Sequence, residues 1–129
     1  MLTQSHTTTI LPVVNVERAR HFYEDALGLG PAETRADGSV LYRVDRGEIA
    51  LSPRTEPTRN QYTAVSFEVK DVAAEVKDLE RRGVAFEDYD LPELKTVEHV
   101  AVVGSEKCAW FRDPEGNILC LHQDTQSSH

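Results

Sequence analysis

The sequence predicts an α+β fold of two βαβββ modules, and three observations carry that prediction. The chain of 129 residues reads twice through nearly the same plan: an alternating strand, one helix-period stretch, then short strands broken by turn chemistry. Each pass holds a single helical stripe, so each sheet has one helix to cover one face. The uncovered faces must be buried against each other or kept as a lined cleft. A curved, cleft-lining mixed sheet with helices on its convex face is therefore expected.

A tail at 1–6 precedes the first module, 7–52. Residues 7–14 are a β-branched run suited to a strand, with Pro12 restricting its pairing. Asn15 stands where an N-cap belongs, with Glu17 in the positive first turn. Val16, Ala19, Phe22, Tyr23, Ala26 and Leu27 recur at helical spacing, and Gly28 with Gly30-Pro31 stops the helix. Strands are expected at 32–36, 39–45 and 47–52, broken by Asp37-Gly38 and Asp45-Arg46-Gly47.

The polar stretch 53–61 reads as a linker, and the second module spans 62–123. An alternating strand covers 62–69. Asp71 then caps a helix whose buried stripe is Val72, Val76 and Leu79, and Arg81-Arg82-Gly83 closes it. Further strands are expected at 84–89, 98–103, 107–112 and 117–122, with a loop around Leu91-Pro92-Glu93 and a tail at 124–129.

Composition narrows the function. A formal net charge of −8 offers no basic patch for nucleic acid or for an anionic membrane surface. No apolar run is long enough to span a bilayer, and MLTQSHTTT has neither the basic nor the apolar region of a secretory leader. Two cysteines are too few for a disulfide scaffold, so a reducing cytoplasm is the expected compartment.

The stretch DPEGNILCLHQ, 113–123, opens with turn residues and then alternates, which puts Ile118, Cys120 and His122 on one strand face. If Arg112 pairs with Ile118, Trp110 stands opposite Cys120 and Cys108 opposite His122. Two readings follow for this group. Cys108 and His122 form a nucleophile pair, or the thiols are small buried hydrophobes that line a pocket; lining is favoured. Trp110 either stacks on a flat ligand or fills the cleft or a dimer contact.

Three motifs resemble one family. The run 13–29 resembles a strand–helix signature ending in FYxxxLGL. Residues 67–72, FEVKDV, resemble its second-half counterpart, and 111–117, FRDPEGN, its FxDPxGN hairpin. They resemble the vicinal oxygen chelate superfamily, which includes glyoxalase I, extradiol dioxygenases, epimerases, and fosfomycin and bleomycin resistance proteins. Over 7–123 the resemblance implies the paired-module fold, a homodimer and a small-molecule cleft. It also implies a divalent metal held by four His, Glu or Gln side chains. Those positions fall on Thr8, Ala50, Ala64 and Cys120. Two alanines cannot ligate and a threonine hydroxyl is a poor ligand, so the family's metal site is not expected here, nor any other cofactor.

The expected protein is thus a metal-free, glyoxalase/bleomycin-resistance-like binder of a small apolar or aromatic organic molecule. Its expected ligand contacts are Thr8, Tyr42, Ala50, Ala64, His99, Trp110, Cys120 and His122. Tyr42 is open to a second reading, as packing. One alternative is a lyase, isomerase or dioxygenase with a metal displaced onto His6, Glu48 and His122. Another is a metal-free acid–base enzyme using His99 or His122, and a third is a dimeric interaction module without a ligand. His21 and the acidic runs Glu24-Asp25 and 87–90 read as solvated surface.

Overall fold

The computed structural model describes residues 1–125, so the end of the expected tail, 126–129, lies outside the described residues. It divides into two compact units. The first is residues 1–60 with the turn 113–117, and the second is residues 61–112 with the chain from Ile118 onward.

In the first unit β1 (Thr8–Val13) leads through the Asn15 N-cap into α1 (Val16–His21). The Asn15 side chain accepts the Arg18 N–H at 3.0 Å. The sequence pattern implies one continuous α-helix to Leu27, but Phe22–Ala26 is a wider π-helical turn, closed by the Leu27 N–H on the Phe22 carbonyl. Strands β2 (Ala32–Thr34), β3 (Val40–Val44) and β4 (Gly47–Pro53) complete a sheet of order β1-β4-β3-β2, with β1 parallel to β4 and the other pairs antiparallel. Alternation sends Leu11, Val13, Val40, Tyr42, Ile49 and Leu51 into the core with Ala19 and Tyr23. Each of these larger side chains contributes roughly 1.5–3 kcal/mol over its exposed state. Residues 54–60 carry neither helix nor strand, and Pro53, expected in the linker, ends β4.

In the second unit β5 (Thr63–Glu68) leads through the Asp71 N-cap into α2 (Val72–Arg81), which buries Val72, Val76 and Leu79 as expected. Gly83, at φ +94, lets the chain leave the helix. Strands β6 (Asp90–Leu91), β7 (Leu94–Val97), β8 (Val100–Val103), β9 (Glu106–Arg112) and β10 (Ile118–Asp124) follow. The sheet order is β5-β10-β9-β8-β7-β6, with β5 parallel to β10 and the rest antiparallel.

The region between α2 and β8 departs from expectation. Residues 84–89 make one isolated bridge, Phe86 to Phe111, rather than a strand. The loop expected around 91–93 is the short turn of the β6–β7 hairpin, while Glu98 and His99, expected in a strand, form the next turn. Thr96 explains the pairing: its hydroxyl accepts the Tyr89 N–H at 2.9 Å and donates to Asp88 at 3.0 Å. Asp124, expected in the tail, ends β10 and stands opposite Glu106. Among the described residues no helix is long and apolar enough to cross a membrane.

Candidate functional site

In each unit one sheet face carries several of the candidate residues. In the first, the registers Thr8 with Glu48, Ile10 with Ala50, and Leu41 with Ala50 put those side chains on one open face. They line a groove of about 290 Å3, whose floor is Ile10, Leu41 and Ala50. Thr8, Glu48 and Ser52 add polar groups, and Arg35, Asp37 and Arg54 stand at the rim. The Thr8 hydroxyl donates to Glu48 at 3.0 Å, so these two satisfy each other. Arg54 also borders a neighbouring groove of about 460 Å3, lined by Pro12 and residues 55–58.

Tyr42, expected among the ligand contacts, belongs to the core. It is fully buried beside Ile49, its hydroxyl donates to Glu24 at 2.7 Å, and its ring stacks on Tyr23 with centroids 6.4 Å apart. The reason is parity: residues 40, 42 and 44 alternate with Leu41, which is itself buried but lies on the groove's side of the sheet.

In the second unit the expected register holds, with Arg112 opposite Ile118, Trp110 opposite Cys120 and Cys108 opposite His122. Yet Cys108 and His122 share no hydrogen bond among the described residues. His122 Nδ1 lies 2.6 Å from Ser66 Oγ, while Nε2 stands 3.9 Å from Glu68. Burial pushes the Cys108 thiol up to about 11, with the neighbouring Cys120 and Glu106 adding to it. Burial also raises Cys120 against opposing hydrogen bonds from Ser66, Cys108 and the Ala109 backbone. Both cysteines are reduced and buried, which makes them poor nucleophiles and fits the lining reading.

Ser66 went unnoticed in the sequence. A register shift between Ile118 and Leu119 sets Ser66, rather than Val65, directly opposite Cys120. A bulge of this kind leaves no trace in residue spacing. Trp110 packs edge-to-face on Tyr89 with centroids 5.5 Å apart.

His99 is held by two carboxylates, Nδ1 at 3.0 Å from Asp88 and Nε2 at 3.2 Å from Glu80. With both ring nitrogens engaged, neither is left to take a proton from a ligand. His6 is exposed beyond the start of β1, and His21 pairs with Asp25 on the surface. Among the described residues no three His, Cys, Asp or Glu side chains gather as a metal-binding set.

Three more polar residues missed by the sequence reading sit in the 113–117 turn. Asp113, Glu115 and Asn117 are all buried. Asp113 accepts from the Tyr23 hydroxyl at 2.6 Å, from the Asn117 amide, and from the Glu115 and Asn117 N–H groups. Glu115 accepts the N–H groups of Val14 and Asn15 and the Arg18 guanidinium. Their role is to shape the corner that carries β1.

Residues 3–121 match the family model described as the Glyoxalase/Bleomycin resistance protein/Dioxygenase superfamily. The chain is similar in structure to a glyoxalase/bleomycin resistance protein from Streptomyces sp. CB03234, with TM-score 0.67 and 24% identity over 92% of this chain and 100% of that one. It is similar also to TnmS3, an antibiotic binding protein from Streptomyces sp. CB03234, with TM-score 0.64 and 21% identity over 96% and 98%. A glyoxalase/bleomycin resistance protein/dioxygenase from Nocardioides gives TM-score 0.69 and 16% identity over 96% and 85%. At these identities the likeness is one of fold. No curated protein matches the chain.

Proposed function

Because the chain belongs to the glyoxalase/bleomycin resistance protein/dioxygenase superfamily, we propose that it binds a small organic molecule with an apolar or aromatic body, without the family's divalent metal. One observation carries this reading: Ala50, at a position where the resemblance calls for a ligand, forms the floor of an open groove with Ile10 and Leu41. An apolar floor binds a flat or aliphatic body, and the rim charges of Arg35, Asp37 and Arg54 orient its polar substituents. Thr8 and Ala50 are the proposed contacts in this groove, Ala64, Trp110, Cys120 and His122 those on the second unit's sheet, and the chain is proposed as a homodimer in a reducing compartment.

A second reading, metal-free acid–base catalysis, rests on His122. Ser66 bonds its Nδ1, and the exposed Glu68 carboxylate stands 3.9 Å from Nε2, which leaves that nitrogen to meet a ligand. His99 does not serve this reading, for the reason given above.

The test is a screen of aromatic and aliphatic small molecules against the full chain by ligand-observed NMR, repeated on Ala50→Trp. Hits that vanish in Ala50→Trp at unchanged melting temperature are expected. Hits that bind both proteins equally, or no hits at all, would overturn the groove. Elemental analysis after loading with iron, nickel, zinc or manganese covers the metal alternative. Retention lost on Glu48→Ala or His122→Ala would move the case to the displaced-ligand enzyme.

A further inference from the structure

We infer that the ligand of the first unit's groove is an organic monoanion, with a carboxylate gripped by Arg54 and Arg35 and an apolar body lying along Ile10, Ala50 and Leu41. The inference rests on the groove proposed above and adds the charge of what it binds.

The registers order the groove along its strands. Ile10 and Leu41 flank Ala50 and make an apolar row across β1, β4 and β3. On one side of that row Thr8 stands beside Glu48, and on the other Pro12 stands beside Ser52. Residues 48 and 52 share a face of β4 and lie about 13 Å apart, with the apolar row between them. Arg54 follows Ser52, and the Arg35 N–H bonds the Ser39 carbonyl, so both guanidiniums belong to the Ser52 end.

The charges at that end do not cancel. Every arginine except Arg35, Arg54 and Arg59 has a carboxylate oxygen within 3.9 Å among the described residues. Two of those three unpaired cations line this one groove. Asp37 is the carboxylate that shares their end, and its Oδ1 already takes the Ser39 N–H at 2.9 Å and the Ser39 hydroxyl at 2.6 Å. Two guanidiniums against one carboxylate leave one positive charge over. The Ser52 hydroxyl, without a hydrogen-bond partner among the described residues, adds a donor beside them.

This arrangement selects a carboxylate and fixes its direction. A guanidinium meets a carboxylate through two parallel N–H bonds. The main chain of both arginines is already held, Arg54 N–H on the Val13 carbonyl and Arg35 N–H on the Ser39 carbonyl, each at 2.8 Å, so less freedom is lost on binding. At the far end the Glu48 carboxylate repels a second anionic group, which disfavours a dianion long enough to reach it. A volume of about 290 Å3 limits the body to a ring or a short chain. The net charge of −8 repels anions at long range, but salt screens that repulsion beyond roughly 8 Å and leaves direct contact with Arg54 intact.

The test is ligand-observed NMR on the full chain with matched pairs, 3-phenylpropanoate beside 3-phenylpropanamide and octanoate beside octanamide. Each carboxylate should bind roughly tenfold tighter than its amide, and octanedioate should bind more weakly than octanoate. Arg54→Gln should bring the carboxylate down to the level of the amide. Arg59→Gln removes the same charge outside the groove and should leave the preference intact, which separates local grip from net charge. Melting temperatures show that the variants fold, and the acid–amide comparison on the unaltered chain decides without them. Equal binding of acid and amide, with both lost in Ala50→Trp, would overturn the anion while the groove stands. Binding of neither, or of both undiminished in Ala50→Trp, would remove the groove and this inference with it.

Discussion

At the corner between β1 and α1 the first unit uses a buried carboxylate, whereas at the corner between β5 and α2 the second uses a neutral amide. The demand is the same, because a helix start leaves backbone N–H groups without partners. In the first unit Glu115 takes the Val14 and Asn15 N–H groups and Asn15 caps the helix. In the second, the Gln123 side chain takes the Val72 N–H at 3.0 Å and Asp71 caps through Ala74. Burial pushes the Glu115 carboxyl up, but the Val14 N–H, the Arg18 guanidinium and the Asn15 N–H outweigh it and leave the carboxyl below its usual range. The two copies of one plan thus use the amide and the carboxylate in exchanged places. The distant side chain is Glu115 in one and Gln123 in the other, the N-cap Asn15 in one and Asp71 in the other.

The largest break in this comparison comes at Asp113, which has no counterpart in the second unit's corner. Asp113→Ala removes the acceptor for four donors inside the first unit, among them the buried Tyr23 hydroxyl. A loss of about 3–5 kcal/mol is expected in urea unfolding, the range for an uncompensated buried polar network. Glu115→Gln comes next, at about 1–2 kcal/mol near neutral pH, because an amide keeps one acceptor but loses the charge. Its pH dependence has a definite sign. The folded-state pKa is depressed, so the stabilisation is complete above the unfolded value of roughly 4.3 and fades as pH falls through the folded one. The gap between the unaltered chain and Glu115→Gln should therefore close on acidification, read as converging urea midpoints. Gln123→Ala should cost about 1 kcal/mol, with no such dependence. Equal pH profiles for the two variants would remove the distinction between the corners.

What could be read in advance divides along the same line. Alternation and helical spacing are local, so both helices, both caps and the 112–118 register were legible from neighbouring residues. Asp113, Glu115 and Asn117 read only as turn formers, because the groups that bury them lie about a hundred residues away in the chain. Ser66 was hidden by a bulge, and Tyr42 by one step of parity in a five-residue strand. On the candidate face the substitution pattern at Thr8, Ala50 and Cys120 was plain. The partners those positions found, Glu48 for Thr8 and the Cys108–Ser66 neighbourhood for Cys120, depend on pairing that residue spacing does not carry.

Turn chemistry separates the two units once more and yields the smallest predicted effect. The β2–β3 turn of the first unit places Gly38 at φ +89, where a glycine is at ease, and Asp37 ties Ser39 beside it. The β7–β8 turn of the second asks for positive φ at two successive residues and supplies Glu98 at 52° and His99 at 72°. Glutamate does not adopt this conformation readily, whereas glycine and asparagine do and histidine is more tolerant than most. His99 has compensation in its contacts with Asp88 and Glu80, and so is better left alone. Glu98 has no side-chain partner among the described residues. Glu98→Asn should relieve strain without loss and stabilise the chain by about 0.5 kcal/mol, seen as a higher urea midpoint at unchanged slope. A destabilised Glu98→Asn would mean that the glutamate side chain has a use on the second unit's surface, and that the strain is held there for it.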